Sequence, residues 1–208
     1  MARIGLASDS FGNLDGLGVA FDLFARARAD RVFFLGGWYA DAEAVLARRR
    51  YGSPNPAAPG GDFLTAVEGA LTRAAAIPEH PLAGRIARVA SRACPGYGSA
   101  APAKLVDLVE GRICCLVHDK SDLSRDDIGN ATLIFHGNSG RAGLVQIGPR
   151  IFLTPGHLRA PGEDERPSTF ALAEVAPGEV SLTVFSAQGV ELGRERAPLL
   201  GGAKVSVR

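Results

Sequence analysis

Asp9 and His118 are the residues whose type and placement suggest chemistry. Asp9 follows the short apolar run at residues 3–6, and His118 follows another at 112–117. A carboxylate and a neutral imidazole are ordinary ligands for a divalent cation. In open α/β sheets, ligands gather beyond the carboxyl ends of the strands. Three further runs end in small or polar residues: 31–35 at Gly36-Gly37, 84–90 at Ser91-Arg92, and 131–135 at His136-Gly137-Asn138. If the five ends meet at one edge, they bring Asp9, Gly37, Arg92, His118 and Asn138 together. One carboxylate and one imidazole hold a cation weakly unless Asn138 and a partner chain contribute.

The elements that must position these residues follow from periodicity. Leu14, Leu17, Ala20, Leu23, Phe24 and Ala27 recur at helical spacing, with Asn13 or Asp15 as the cap. Helices are also predicted over 39–49, 62–76 and 104–109, with a Pro- and Gly-rich loop at 50–61. From residue 144 onward the texture changes to short strands at 144–147, 151–153, 169–175, 180–185 and 190–194, separated by Gly- and Pro-containing turns. A βαβ half therefore precedes a mostly antiparallel half, in one domain spanning residues 1–208. The segment 204–207 could pair within the chain or across a homodimer.

Composition narrows the function classes. A net charge of +1, from 23 basic and 22 acidic residues, gives no support for a nucleic-acid partner. No apolar run is long enough to span a membrane, and residues 1–4 lead into a strand without the pattern of a signal peptide. Cys94, Cys114 and Cys115 lack zinc spacing, which favours reduced thiols and a cytoplasmic location. Cys114 and Cys115 fall inside an apolar strand, so at least one is expected to be an inert buried thiol.

Ser8-Asp9-Ser10-Phe11-Gly12-Asn13 resembles the Ser-Asp-Thr-His-Gly-Asn segment of the calcineurin-like metallophosphoesterases, in particular their small bacterial branch. Phe34-Leu35-Gly36-Gly37 is similar to that family's Leu-Gly-Asp, and Leu116-Val117-His118 to its strand ending in His. The strand running through Phe135-His136-Gly137-Asn138-Ser139-Gly140 resembles the one that enters Gly-His-Thr-His. The next, Asn-Pro-Gly-Ser-Leu, has its counterpart in Thr154-Pro155-Gly156-His157-Leu158. The resemblance implies an α/β fold: a β-sandwich flanked by helices, in α/β/β/α layers, with parallel strands followed by antiparallel ones.

The resemblance also implies a two-metal site, and here the chain departs from it. Asp9 and His118 keep residues the family uses. Phe11 stands for a His, Gly37 for the bridging Asp, Arg92 for an Asn, and Asn138 and Gly140 for two His. A two-metal phosphoesterase uses its ions to generate hydroxide and to clamp the phosphate, and loss of the bridging carboxylate removes what joins them. An inward-facing Arg92 would repel a metal and could neutralise Asp9.

The expectation is therefore a catalytically inactive phosphoesterase-like protein without a cofactor, serving as a binding, scaffolding or regulatory module for another protein. The phosphoesterase-like subunit of retromer is a precedent of this kind. One alternative is a phosphoesterase with a reduced site, holding a single manganese, iron or zinc ion at Asp9, His118 and Asn138. Another is a sensor that binds a phosphate-containing ligand through Arg92, Arg141 and the backbone of residues 137–140. Asp9 could instead cap its turn or pair with an arginine. His136 and His157 read as polar loop residues, with His157 the stronger candidate for a catalytic acid. Trp38 and Tyr39 fit either an interface or the core. The run Arg48-Arg49-Arg50 fits a helix C-terminus.

Overall fold

The computed structural model describes residues 1–38, 40–51, 80–160 and 166–200. The predicted helix at 62–76, Tyr39 and the segment 204–207 lie outside the described residues, as do the side chains of Arg48, Arg49 and Arg50.

Strand β1 (Ala2–Ala7) pairs in parallel with β2 (Arg31–Phe34), and β2 with β3 (Ile86–Arg88). On its other side β1 meets β9 (Thr169–Val175) in antiparallel fashion, followed by β10 (Glu179–Ser186) and β11 (Glu191–Pro198). The first sheet thus has the order β11-β10-β9-β1-β2-β3. The second contains β4 (Lys104–Val109), β5 (Arg112–Val117), β6 (Leu133–His136), β7 (Ala142–Ile147) and β8 (Arg150–Pro155), in the order β4-β5-β6-β8-β7. Its three central strands are parallel, and antiparallel strands close both edges.

The inner faces of the two sheets form the main core. Ile4, Leu6, Phe33 and Leu35 from the first meet Leu116, Phe135, Ile151 and Leu153 from the second, all fully buried. Phe33 and Phe135 pack edge to face across this seam, with centroids 5.0 Å apart. Helix α1 (Leu14–Arg26), capped by Asn13 through the Gly16 N–H, covers the outer face of the first sheet with Leu17, Phe21 and Phe24. Its approach is close: a Cβ on Gly5 would lie 2.4 Å from the Phe24 ring. Helix α2 (Asp41–Tyr51) follows β2 and adds Ala42 and Val45 to that layer. On the second sheet, Leu123 and Ala131, either side of the short helix α3 (Arg125–Asn130), pack with buried Cys115, Val117 and Ile134, while Val106, Leu108, Val145 and Ile147 on the edge strands are exposed. The α/β sandwich with flanking helices agrees with the layers implied by the sequence.

Three sequence expectations need correction. Residues 104–109 form a strand, not a helix: their exposure alternates with a period of two, and Glu110 and Gly111, both at positive φ, turn the chain into β5. The third apolar run supplies only three paired residues. The later strands are divided between the sheets, with β8 parallel to β6. Among the described residues no helix is long and apolar enough to cross a membrane.

Candidate functional site

The ends of β1, β2, β5 and β6 do converge, from two facing sheets rather than from one. Close approach makes this possible. A Cβ on Gly36 would lie 2.0 Å from Cδ2 of His118, and one on Gly137 would lie 2.1 Å from the Leu35 carbonyl oxygen. Both glycines let the sheets touch where the loops emerge.

Asp9 sits at the centre and is buried. Its Oδ1 accepts from Nε2 of His118 at 2.8 Å. Its Oδ2 accepts from the Ser8 hydroxyl at 2.8 Å and from the Asn138 backbone N–H at 3.1 Å. The buried Nδ1 of His118 has no hydrogen-bond partner among the described residues. Asp9, Phe11 and Asn138 all adopt positive φ, three of the five non-glycine residues that do so among those described. Such conformations are costly and cluster where a loop is over-determined by its surroundings.

The expected ligand positions divide clearly. Asp9 and His118 come together, but bonded directly to each other. Asn138 reaches Asp9 through its backbone, while its side-chain amide donates to Asp119 at 2.7 Å. Gly37 backs onto Ser10, whose hydroxyl would lie 2.6 Å from an added Cβ. The Gly37 carbonyl accepts from the Cys94 thiol at 2.9 Å. The Phe11 ring carries the Arg159 guanidinium, its central carbon 5.0 Å from the centroid. At Gly140 the Arg166 guanidinium occupies the space a side chain would need, with Nη1 1.5 Å from an added Cβ.

Arg92 does not face inward. Its guanidinium is 58% exposed at the side chain and donates to Ser121 at 2.9 Å and Asp122 at 2.6 Å. The partner of Asp9 is therefore His118, and among the described residues no arginine forms an ion pair with it. His136 ends β6 instead of lying in a loop, His157 does lie in the loop after β8, and both are buried. Nδ1 of His136 lies 3.0 Å from the Gly137 carbonyl oxygen, and burial pushes the imidazole pKa down. Cys114 and Cys115 are both buried. Burial raises both thiols, Cys114 to about 12. Trp38 is exposed at the rim, against Gly12.

Four contributions, from two carboxylates and two arginines, were missed in the sequence. Asp41 is buried and accepts from the Ser10 hydroxyl at 2.5 Å and the Gly12 N–H at 2.9 Å, tying α2 to the turn after β1. Asp119 is held below the usual carboxylate range, first by the Ser121 N–H, and anchors Asn138. Arg159 and Arg166 reach the site from the segment after β8. Only Asp41, placed just after the Gly-Gly end of β2, had a usable sequence signal.

The donor set does not fit a pair of metal ions. Among the described residues, no group of three or more His, Cys, Asp or Glu side chains is arranged to hold one. The bridging position lacks a carboxylate, and Ser10 and Arg166 stand beside two positions where ligand side chains would have to enter.

No protein-family model matches the sequence, and no curated protein is similar to it in sequence. Solved structures are similar in fold. A predicted phosphoesterase from Streptococcus pneumoniae TIGR4 aligns over 95% of this chain and 99% of its own, with 17% identity and a TM-score of 0.58. Chaetomium thermophilum Vps29 aligns over 95% and 98%, with 14% identity and a TM-score of 0.57. The Escherichia coli phosphoesterase YfcE aligns over 93% and 98%, with 17% identity and a TM-score of 0.56. At such identities the likeness is one of fold, and that fold is the one shared by the calcineurin-like metallophosphoesterases.

Proposed function

We propose that this chain is a catalytically inactive phosphoesterase-fold protein that acts as a binding or regulatory module for another protein. The observation that carries the reading is the state of Asp9. Both of its oxygens are engaged by His118, Ser8 and Asn138, so the surviving carboxylate serves the packing of two sheets. Water activation by a metal pair needs several anionic or imidazole ligands on each ion. Gly37, Phe11 and Gly140 supply none.

The outer face of the second sheet supports a binding role. Val106, Cys115, Ile134, Phe152 and Val145 form one register row across its five strands. The edges of that face are exposed: Val106 is 64% accessible and Val145 57%, with Leu108 and Ile147 exposed beside them. These are two separate edge patches, because Cys115 and Ile134 between them are buried, and exposed apolar patches mark interaction sites. Phosphomonoesterase and phosphodiesterase assays with added manganese test the inactive reading, and robust turnover would overturn it. Val106→Asp and Val145→Asp are expected to abolish partner capture while leaving the melting temperature within a few degrees of wild type. Unchanged capture would remove this face from the account.

A second reading is favoured by the juxtaposition of Asp9 and His118: a phosphoesterase holding a single manganese, iron or zinc ion there. It requires a metal-dependent activity that Asp9→Ala and His118→Ala each abolish without unfolding the protein.

A further inference from the structure

Of the strands that end the two sheets, β3, β11 and β7 are protected against pairing with another chain. β3 offers three residues. β11 carries Glu191, Arg194, Glu195 and Arg196, a register break against β10 and a terminal Pro198. β7 turns the Leu144 N–H onto the Glu195 carboxylate of β11 at 2.7 Å, and its Gln146 side chain reaches the Pro198 carbonyl at 3.2 Å. Shortness, charge, bulges and cover are the usual ways of blunting an edge. β4 is different. It is six residues long, pairs with β5 in unbroken register, and among the described residues no other strand lies beside it.

The two-residue turn at Glu110-Gly111 fixes which backbone groups β4 leaves open. Residues flanking such a turn form a hydrogen-bonded pair, and the pattern then alternates. Val109, Asp107 and Leu105 therefore spend their N–H and C=O groups on β5, while Lys104, Val106 and Leu108 turn theirs outward. The Leu108 N–H confirms the parity, because it donates to its neighbour's side chain, Oδ1 of Asp107, at 2.7 Å. Val106 and Leu108 also expose their side chains, with Ile113 of β5 exposed beside them.

We propose that β4 pairs antiparallel with β4 of a second copy of this chain, Val106 opposite Val106 on a twofold axis. The strand is self-complementary in this register. Hydrogen-bonded pairs form at Val106–Val106 and, twice, at Lys104–Leu108, and Asp107 stands opposite Leu105. A slide of two residues one way sets Asp107 opposite Asp107, and like charges directly opposite are destabilising. A slide of two the other way sets Leu108 opposite Pro102, which has no N–H and whose carbonyl already accepts from Ala90. A slide of one brings the wrong backbone groups to the seam. Pairing transfers the Leu108 N–H from Asp107 to the second copy's Lys104 carbonyl, while Arg31 keeps its ion pair with Asp107. The Lys104 ammonium stays with Asp127 at 2.6 Å, and its methylenes lie over Leu108. The exposed patches at the two β4 edges then join across the seam. This pairing goes beyond the inactive reading of the cleft and does not depend on it.

The test is sedimentation equilibrium of the full chain over a range of concentrations. A six-residue seam is small, so half-association is expected on the order of 10–100 µM. Val106→Lys places two like charges together on the axis and should weaken association roughly tenfold or more, with the melting temperature of the dilute protein within a few degrees of wild type. A second measurement reads the register without relying on that variant. Directly opposite hydrogen-bonded residues have Cα atoms about 5.5 Å apart, inside the roughly 4.4–6.8 Å span of a disulfide. A Lys104→Cys chain mixed with a Leu108→Cys chain should therefore form a disulfide between unlike chains under mild oxidation, and neither chain should do so alone. A monomer at every concentration overturns the inference and leaves the binding reading standing, since capture of another protein tests that reading separately. A dimer that survives Val106→Lys, or one without the mixed disulfide, overturns the β4 seam.

Discussion

Nε2 of His118 lies 2.8 Å from Oδ1 of Asp9, so the two residues best suited to hold a metal are bonded to each other. The bond joins the end of β5 in one sheet to the end of β1 in the other. Asp9→Ala strips a partner from His118 and from the Ser8 hydroxyl, both buried, and from the part-buried Asn138 N–H. Removing one partner of a buried polar cluster costs on the order of 3 kcal/mol. Urea unfolding should show a loss of about that size, and an Asp9→Ala protein as stable as wild type would contradict the packing role.

Restoring family residues should not restore the metal centre. Gly37→Asp places a Cβ against the Ser10 hydroxyl and backbone N–H, at 2.6 and 2.8 Å, on a residue at φ +108. Combined with Phe11→His, it should lower stability by roughly 2 kcal/mol or more, through strain and overpacking. Metal analysis after dialysis against manganese should show no gain of two ions per chain.

Acid sensitivity follows from two groups. Burial lowers the His136 pKa, so the unfolded chain takes up this proton first. Stability is lost as pH falls below the ordinary histidine value of about 6.5. Asp127 is held down at about 2, chiefly by Lys104 and then by Ser124. Its contribution is present above the unfolded carboxylate value of about 3.9 and is lost as pH falls toward 2. Denaturation profiles against pH should show His136→Gln flattening the first window and Asp127→Asn the second.

The thiols should be silent. Cys114, raised to about 12, and Cys115, raised by burial, carry almost no thiolate at neutral pH. A disulfide-exchange reagent at pH 7.5 is expected to label at most one thiol per native chain, and three after denaturation.

Much of the fold was legible because it is written in long signals. The apolar stripe of α1, the continuous buried runs of β1, β2, β5 and β6, and the strand ends at Asp9 and His118 all depend on local pattern. Lys104–Val109 was misread because a six-residue run with charges at two positions matches a helix as well as a strand. Its Glu110-Gly111 turn decides the matter only once both φ angles are known to be positive. Arg92 followed the expected strand end, yet its direction is set by Asp122, a residue 30 positions away. Arg159 and Arg166 were invisible for the same reason: the spaces they fill arise from Phe11 and Gly140, far off in the chain.

The most direct test of the account is the manganese stoichiometry of the full chain, measured by calorimetric titration with hydrolysis of a phosphodiester followed in the same samples. The account predicts no stoichiometric uptake of two ions and no metal-dependent turnover. Two ions bound per chain, with turnover abolished by Asp9→Ala, would contradict it.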